Sequence, residues 1–194
     1  MEARLQQLLE EIAAFGRDND ARQSEHGRKM LNLEPDTAQL VSILARSSCS
    51  RQILEVGTSS GYSTLWLAWS ARQTGGHVTS IERSDEKLQM ARSNLRRAGL
   101  EDIVTLHHGR AADVLVGLEC AFDLVFLDAD RPSYPAYFEA IKKLLAPTAL
   151  LLADNVHSHP QEIAPYLALV EADASFEHVV LGVGKGLSVA YCQA

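Results

Sequence analysis

The spacing of apolar positions changes period several times along the chain. Leu5, Leu8, Leu9 and Ile12 recur at helical intervals, with Glu2, Gln6, Glu10 and Glu11 largely on the opposite side. This predicts an amphipathic N-terminal helix that packs on the domain or on a second subunit. Residues 16–29, GRDNDARQSEHGRK, are polar throughout and are expected to form a mobile connection. Pro35 suits the first turn of a second helix reaching about Arg46, with Leu40, Val41 and Leu44 turned inward.

From Ile53 onward the pattern becomes short apolar runs separated by helical stretches. Ile53, Leu54 and Val56 form a buried strand interrupted by one acid, Glu55, and Tyr62 to Trp69 carries Leu65, Trp66 and Trp69 at helical spacing. His77 to Glu82 is a second strand, and Ser84 is the N-cap of a helix through Ala98 that Gly99 closes. Ile103 to His107, Phe122 to Leu127 and Ala149 to Ala153 read as strands three to five. A short helix to about Gly117, one around Tyr137 to Leu145 that stops before Pro147, and one near Gln161 to Glu171 lie between or after them. Strands around His178–Val183 and Leu187–Cys192 are joined by the tight GVGKG and form an antiparallel hairpin. The alternation predicts an α/β fold, a doubly wound, Rossmann-like, mainly parallel sheet with an antiparallel C-terminal strand. We expect one domain over 1–194, with helices over 1–48 and a cofactor-binding core over 49–194.

Composition narrows the function classes. The 194 residues are 46% hydrophobic, enough for one sizeable core, and the net charge of −7 without a basic run argues against a nucleic-acid backbone as partner. Cys49, Cys120 and Cys192 have no zinc-like spacing and read as reduced thiols of a cytoplasmic protein. The charged N-terminus lacks the apolar core of a signal peptide, and no apolar run reaches membrane-spanning length.

Candidate chemistry gathers where strands end, because open α/β sheets bind ligands beyond the carboxyl ends of their strands. Gly57 and Gly61 surround Thr58, Ser59 and Ser60 between the first strand and its helix, a turn that lets a ligand approach the backbone and the helix N-terminus. Glu82 follows Gly57 by about 25 residues, near the offset at which a second-strand carboxylate meets ribose hydroxyls. The pattern E-x-G-x-x-x-G departs from the dinucleotide fingerprint and favours a nucleoside without pyrophosphate. Asp128, Asp154 and Asn155 close strands four and five, a hard-oxygen set suited to magnesium, calcium or manganese. The alternative is loop capping, which Asp and Asn commonly perform, with Asp130 available for the same work.

The glycine turn also matches the hydrolase elbow G-x-S-x-G, with Ser59 as nucleophile and His157, His159 or His178 as base. That reading lacks the earlier strands an α/β-hydrolase needs and leaves Glu82 and the acid set without a role. His107 and His108 read as structural or exposed, Trp66 and Trp69 as core, and Lys185 as a solvated turn residue.

LEVGTSSGYS, VTSIE, HHGRAAD, FLDAD and LLADN occur in the order and roughly at the spacing of the cation-dependent O-methyltransferases, which the chain resembles from about Leu31 onward. This is the catechol and caffeoyl-CoA group, which uses S-adenosylmethionine. The resemblance implies that Glu55, Gly57, Thr58, Gly61, Tyr62 and Ser63 surround the methionine end of the cofactor, with Ser63 holding its carboxylate. It implies that Glu82 holds the ribose, with Arg83 beside it, that Gly109, Arg110 and Ala111 border the adenine, and that Leu33 and Asp128 touch the cofactor. Asp128, Asp154 and Asn155 become ligands of a divalent cation, magnesium first and manganese or calcium next. The implied acceptor is a small aromatic vicinal diol, and the implied assembly a homodimer that binds neither nucleic acid nor membrane.

Two departures from the family pattern matter. The family's lysine three residues after the first metal aspartate, read as general base, is replaced by Arg131, whose guanidinium stays protonated but can stabilise a phenolate. The stretch before Leu31 and the loop DNVHSHP are short, so a more open or dimer-completed acceptor pocket is expected. Asp128 and Arg131 are the catalytic candidates. The competing readings are a metal-independent O- or N-methyltransferase, the Ser59 hydrolase and a cofactor-binding module without turnover.

Overall fold

The computed structural model describes residues 1–193. Helices α1 (Ala3–Arg22) and α2 (Pro35–Ser47) precede strand β1 (Gln52–Val56) and helix α3 (Tyr62–Thr74). Then come β2 (His77–Glu82), α4 (Asp85–Ala98), β3 (Val104–His108), α5 (Ala111–Val116), β4 (Phe122–Leu127) and α6 (Tyr134–Ile141). Strand β5 (Leu145–Ala153), helix α7 (Pro160–Ala172) and strands β6 (Phe176–Leu181) and β7 (Leu187–Cys192) complete the order. One sheet forms in the order β3-β2-β1-β4-β5-β7-β6, with β7 antiparallel to both its neighbours and the other pairs parallel. This is the mainly parallel α/β architecture that the alternation of runs predicts.

Strands β1 and β4 are buried on both faces, which is why their apolar residues run together, as at Ile53-Leu54 and Leu124 to Leu127, instead of alternating. Residues of α1, α2 and α3 cover one face, among them Leu9, Val41 and Leu65. Residues of α5, α6 and α7 cover the other, among them Leu115, Phe138 and Tyr166. The chain leaves β1 toward β2 on one side and returns to β4 on the other. The carboxyl ends of β1 and β4 therefore flank a switch point, and the crevice there is where an open sheet takes its ligand.

Three boundaries differ most from the expectations, while β3 and β6 shift by one and two residues. Helix α1 continues to Arg22 through the polar stretch expected to be mobile. Tertiary contacts override the missing period: Gly16 packs against Asn32, whose amide donates to the Ile12 carbonyl at 3.1 Å. Asp20 accepts from the Met30 and Leu31 amides at 2.6 and 2.8 Å. Helix α6 starts at Tyr134, with Pro135 in its first turn. Strand β5 starts at Leu145 and includes Pro147, which sits where the pairing with β4 shifts register between Phe122 and Leu124.

The apolar face of α1 is spent within the chain, with Leu5, Leu8, Leu9 and Ile12 all buried in the first core cluster. In α2 the inward positions are Val41 with Thr37, Ala38, Ser42 and Ala45, while Leu40 and Leu44 are half-buried. Among the described residues, no helix is long and apolar enough to cross a membrane, and all three cysteines are unpaired.

Candidate active site

A cavity of about 270 Å³ lies beyond the carboxyl ends of β1, β2, β4 and β5. Of the expected site residues, Leu33, Gly57, Thr58, Tyr62, Ser63, Glu82, Arg83, Gly109, Ala111, Asp128, Arg131, Asp154 and Asn155 line it. Glu55, Gly61 and Arg110 do not. The sheet brings together ends of strands that are far apart in sequence, so one cleft holds both the glycine turn and the acid set.

The glycine turn is shaped by close backbone contacts. Gly57 has φ +110°, and a Cβ there would lie 2.0 Å from the Asp128 carbonyl oxygen. The Gly57 and Thr58 amides donate to the Ile81 carbonyl at 3.0 and 3.3 Å, anchoring the turn to β2. Helix α3 then begins at Tyr62, so its first-turn N–H groups lie at the cavity wall without intrahelical partners. Glu82 is nearly buried, and its two carboxylate oxygens accept from the Ser59 and Ser84 amides, each at 2.8 Å. These bonds hold the carboxylate at the cavity wall and leave lone pairs for further donors.

Glu55 lies beneath the cavity, not on its wall. It is fully buried and accepts from Ser63 Oγ at 2.6 Å, Thr64 Oγ1 at 2.5 Å and Ser80 Oγ at 2.6 Å. Burial pushes its carboxyl above the usual range against the pull of these hydroxyls. It thereby ties the start of α3 to β1 and β2, and it reaches the cavity wall through Ser63 and, by way of Ser80, through Thr58. Glu55→Ala would leave three buried hydroxyls without their acceptor, and urea denaturation should show a loss of about 3 kcal/mol. A loss under about 1 kcal/mol would mean that the hydroxyls find other partners.

At the opposite end of the cavity, Asp128 and Asp154 close β4 and β5. Asn155 has φ +74°, its Nδ2 donates to Asp128 Oδ1 at 3.1 Å, and Ser158 Oγ donates to its Oδ1 at 3.2 Å. Asp154 Oδ1 is buried without any hydrogen-bond partner. Burial raises both carboxyls; the Glu55 charge adds to this at Asp128 and the Asp128 charge at Asp154. Two acids that repel each other and include an orphaned buried oxygen suit a cationic ligand. Among the described residues no three His, Cys, Asp or Glu side chains converge as metal ligands. The donor set here is instead two acids and one amide, and its oxygen chemistry fits a hard divalent ion.

Arg131 also lines the cavity, but its Nε donates to Glu162 Oε2 at 2.8 Å, an ion pair between the turn before α6 and the first turn of α7. Lys185 is the turn residue expected from the sequence and its side chain is partly solvated, but it also has a place in the site. It lines the cavity, and its Nζ pairs with Glu34 Oε1 at 2.7 Å. The other Glu34 oxygen, Oε2, is buried and unpartnered. The signal for Lys185 is its place between two glycines after a strand; nothing in the spacing marks Glu34.

The hydrolase reading is corrected by the same geometry. Ser59 Oγ donates to the Met30 carbonyl at 2.6 Å. His159 Nδ1 bonds Ser158 Oγ, and His178 Nε2 bonds Ser188 Oγ, each at 2.9 Å. No histidine bonds Ser59 among the described residues, so the nucleophile has no base.

The sequence profile of the O-methyltransferase family matches residues 4–190. A catechol O-methyltransferase of Niastella koreensis is 36% identical over 137 residues, 69% of this chain and 62% of that protein. A catechol O-methyltransferase of Mycobacterium tuberculosis is 39% identical over 119 residues, 61% of this chain and 54% of that protein. The chain thus spans less than two thirds of the length of these curated relatives. Among solved structures, the O-methyltransferase from Bacillus cereus in complex with SAH superposes with a TM-score of 0.83 at 31% identity. That match covers 96% of this chain and 91% of the other.

Proposed function

The chain belongs to the O-methyltransferase family, and from that premise we propose that it transfers a methyl group from S-adenosylmethionine to one hydroxyl of a small aromatic vicinal diol, assisted by a divalent cation. The observation that carries the reading is the shared cavity: a nucleoside-type end at Gly57 and Glu82 and an acid end at Asp128, Asp154 and Asn155. The SAH-bound relative supports the choice of cofactor, and the names of the two curated relatives support the acceptor class.

In this reading each residue has a physical task. Glu82, already fixed by two amides, accepts from the ribose hydroxyls. The open N–H groups at the start of α3, at Tyr62 and Ser63, receive the methionine carboxylate. Backbone at Gly57 and Thr58 lies beside the methionine chain, Gly109 and Ala111 border the base, and Leu33 covers it. Asp128, Asp154 and Asn155 would hold the cation, which when bound orients two adjacent acceptor oxygens and lowers the pKa of one hydroxyl. Arg131 stays protonated and cannot take the acceptor proton. Its ion pair with Glu162 leaves NH groups that stabilise charge at the acceptor oxygen.

The reading includes a homodimer in the cytoplasm that binds no nucleic acid or membrane. The dimer interface would use a surface other than the apolar face of α1, and light scattering measures the assembly. The decisive assay is methyl transfer to a panel of catechols with magnesium and with excess chelator. Product that depends on magnesium is the expected result. Equal product in chelator would leave the cofactor end standing and make the acid set structural. SAH binding without transfer to any acceptor would favour a module without turnover.

A further inference from the structure

We propose that Lys185 is a built-in cation of the acceptor end that weakens divalent-ion binding, and that Glu34 holds it there and offsets its charge. The inference rests on the reading of Asp128, Asp154 and Asn155 as a cation site and adds the residues that set its affinity.

The β6–β7 turn is fastened on two sides. On one side, the His157 amide donates to the Lys185 carbonyl at 2.8 Å and the Val156 amide to the Gly186 carbonyl at 3.1 Å. The turn is thus bonded to the segment that directly follows Asp154 and Asn155. On the other side it presses on the start of α2: a Cβ at Gly184 (φ +54°) would fall 2.2 Å from Thr37 Oγ1 and 3.3 Å from Glu34 Cβ. At Gly186 (φ +88°) a Cβ would fall 2.7 Å from the His157 ring. Only glycine on each side lets Lys185 project from this wedge, and its ammonium ends on Glu34 Oε1 at 2.7 Å in the same cavity as the two aspartates.

The charges around this point do not cancel. Glu34, Asp154 and Asp128 act on the one ammonium, and buried Glu55 acts on Asp128 from beneath, so acids outnumber cations at this end of the cavity. Two of the carboxylate oxygens here, Glu34 Oε2 and Asp154 Oδ1, are buried without a hydrogen-bond partner. The electrostatic coupling agrees, since Glu34, Asp154 and Asp128 all favour the charged form of Lys185. Arg131 and Glu162 form a separate pair and add no net charge. A divalent ion entering between Asp128 and Asp154 therefore meets repulsion from Lys185 and attraction from Glu34. With both present the two terms offset, and binding is left to Asp128, Asp154 and Asn155.

The test is the affinity of Mn²⁺ for the full chain saturated with SAH, read by electron paramagnetic resonance of the free ion, so no acceptor or turnover is needed. Lys185→Met should tighten Mn²⁺ binding about tenfold, the scale of a unit charge meeting a divalent ion several ångströms away in a water-like medium. Glu34→Gln should weaken it several-fold, and Lys185→Arg, which keeps the charge, should stay within about twofold of wild type. SAH affinity measured on each variant reports that the fold and the cofactor end are intact. Binding of Mn²⁺ by wild type with no change in Lys185→Met or Glu34→Gln would overturn the inference while leaving the cation site standing. Looser binding in Lys185→Met would overturn it as well, by making the lysine an indirect support of the site. Mn²⁺ binding that appears only in Lys185→Met would support it in its strongest form. No binding in any variant would overturn the inference and the cation site together.

Discussion

On the proposed reading, Asp154→Asn should lower methyl transfer at least about 1,000-fold while leaving SAH affinity within about threefold. The change preserves volume, and the backbone bond from the Asp154 amide to the Leu127 carbonyl at 3.0 Å is untouched. What disappears is one of the two acids of the oxygen set, and with it roughly 4 kcal/mol of charge stabilisation at the reacting oxygen. The metal-free protein should change in the opposite sense. In the folded state Asp154 is buried without a partner for Oδ1, and burial and the Asp128 charge raise its pKa. A raised folded pKa means that the folded state holds the proton where the unfolded chain has released it. Stability from this group is therefore present at low pH and is lost as pH rises from the ordinary carboxylate range through the raised value. The amide of the Asp154→Asn variant does not titrate and would flatten that decline. The metal-free variant should therefore melt at or above the wild-type temperature near neutral pH. A variant that melts lower and retains activity would remove Asp154 from the cation site.

Gly57→Ala should be the most damaging single-methyl change in the molecule. The added carbon would stand 2.0 Å from the Asp128 carbonyl oxygen, with the Asp128 carbonyl carbon at 2.8 Å. Backbone cannot swing away as a flexible side chain does, so β1 and β4 must separate where they close on the cavity. The positive φ adds about 1–2 kcal/mol for any side chain, and the overpacking about 1–3 kcal/mol more. Because the turn and Asp128 share this contact, both ends of the cavity should suffer together. We expect a loss of at least about tenfold in SAH affinity by calorimetry, a lower melting temperature and weakened Mn²⁺ binding. Wild-type SAH affinity in this variant would show that the turn has room the present geometry denies it.

The two changes also mark what is legible without the fold. Asp128, Asp154 and Glu82 stand out because each ends or directly follows an apolar run, and in a parallel sheet such ends share one edge. Glu55 stands out through the family motif, yet it faces the hydroxyls of Ser63, Thr64 and Ser80 beneath the cavity. An acid inside a strand can point to either face, and sequence order does not say which face holds the ligand. The polar stretch after Gly16 misleads for a related reason. Its helix is held by Asn32 and by the bonds to Asp20, and none of these produces a periodic apolar pattern.

Element order, the parallel core and the strand ends that carry Glu82, Asp128, Asp154 and Asn155 are all written locally in the chain, because buried strands and amphipathic helices leave periods that any window of residues displays. Which of those groups share a wall is settled only once the chain is folded. Folding places Glu55 beneath the cavity, ties Arg131 to Glu162 and brings Lys185 across to Glu34 from the far end of the chain. The last of these pairings depends on how α2 lies against the β6–β7 turn, a contact between segments about 150 residues apart, for which no local pattern exists.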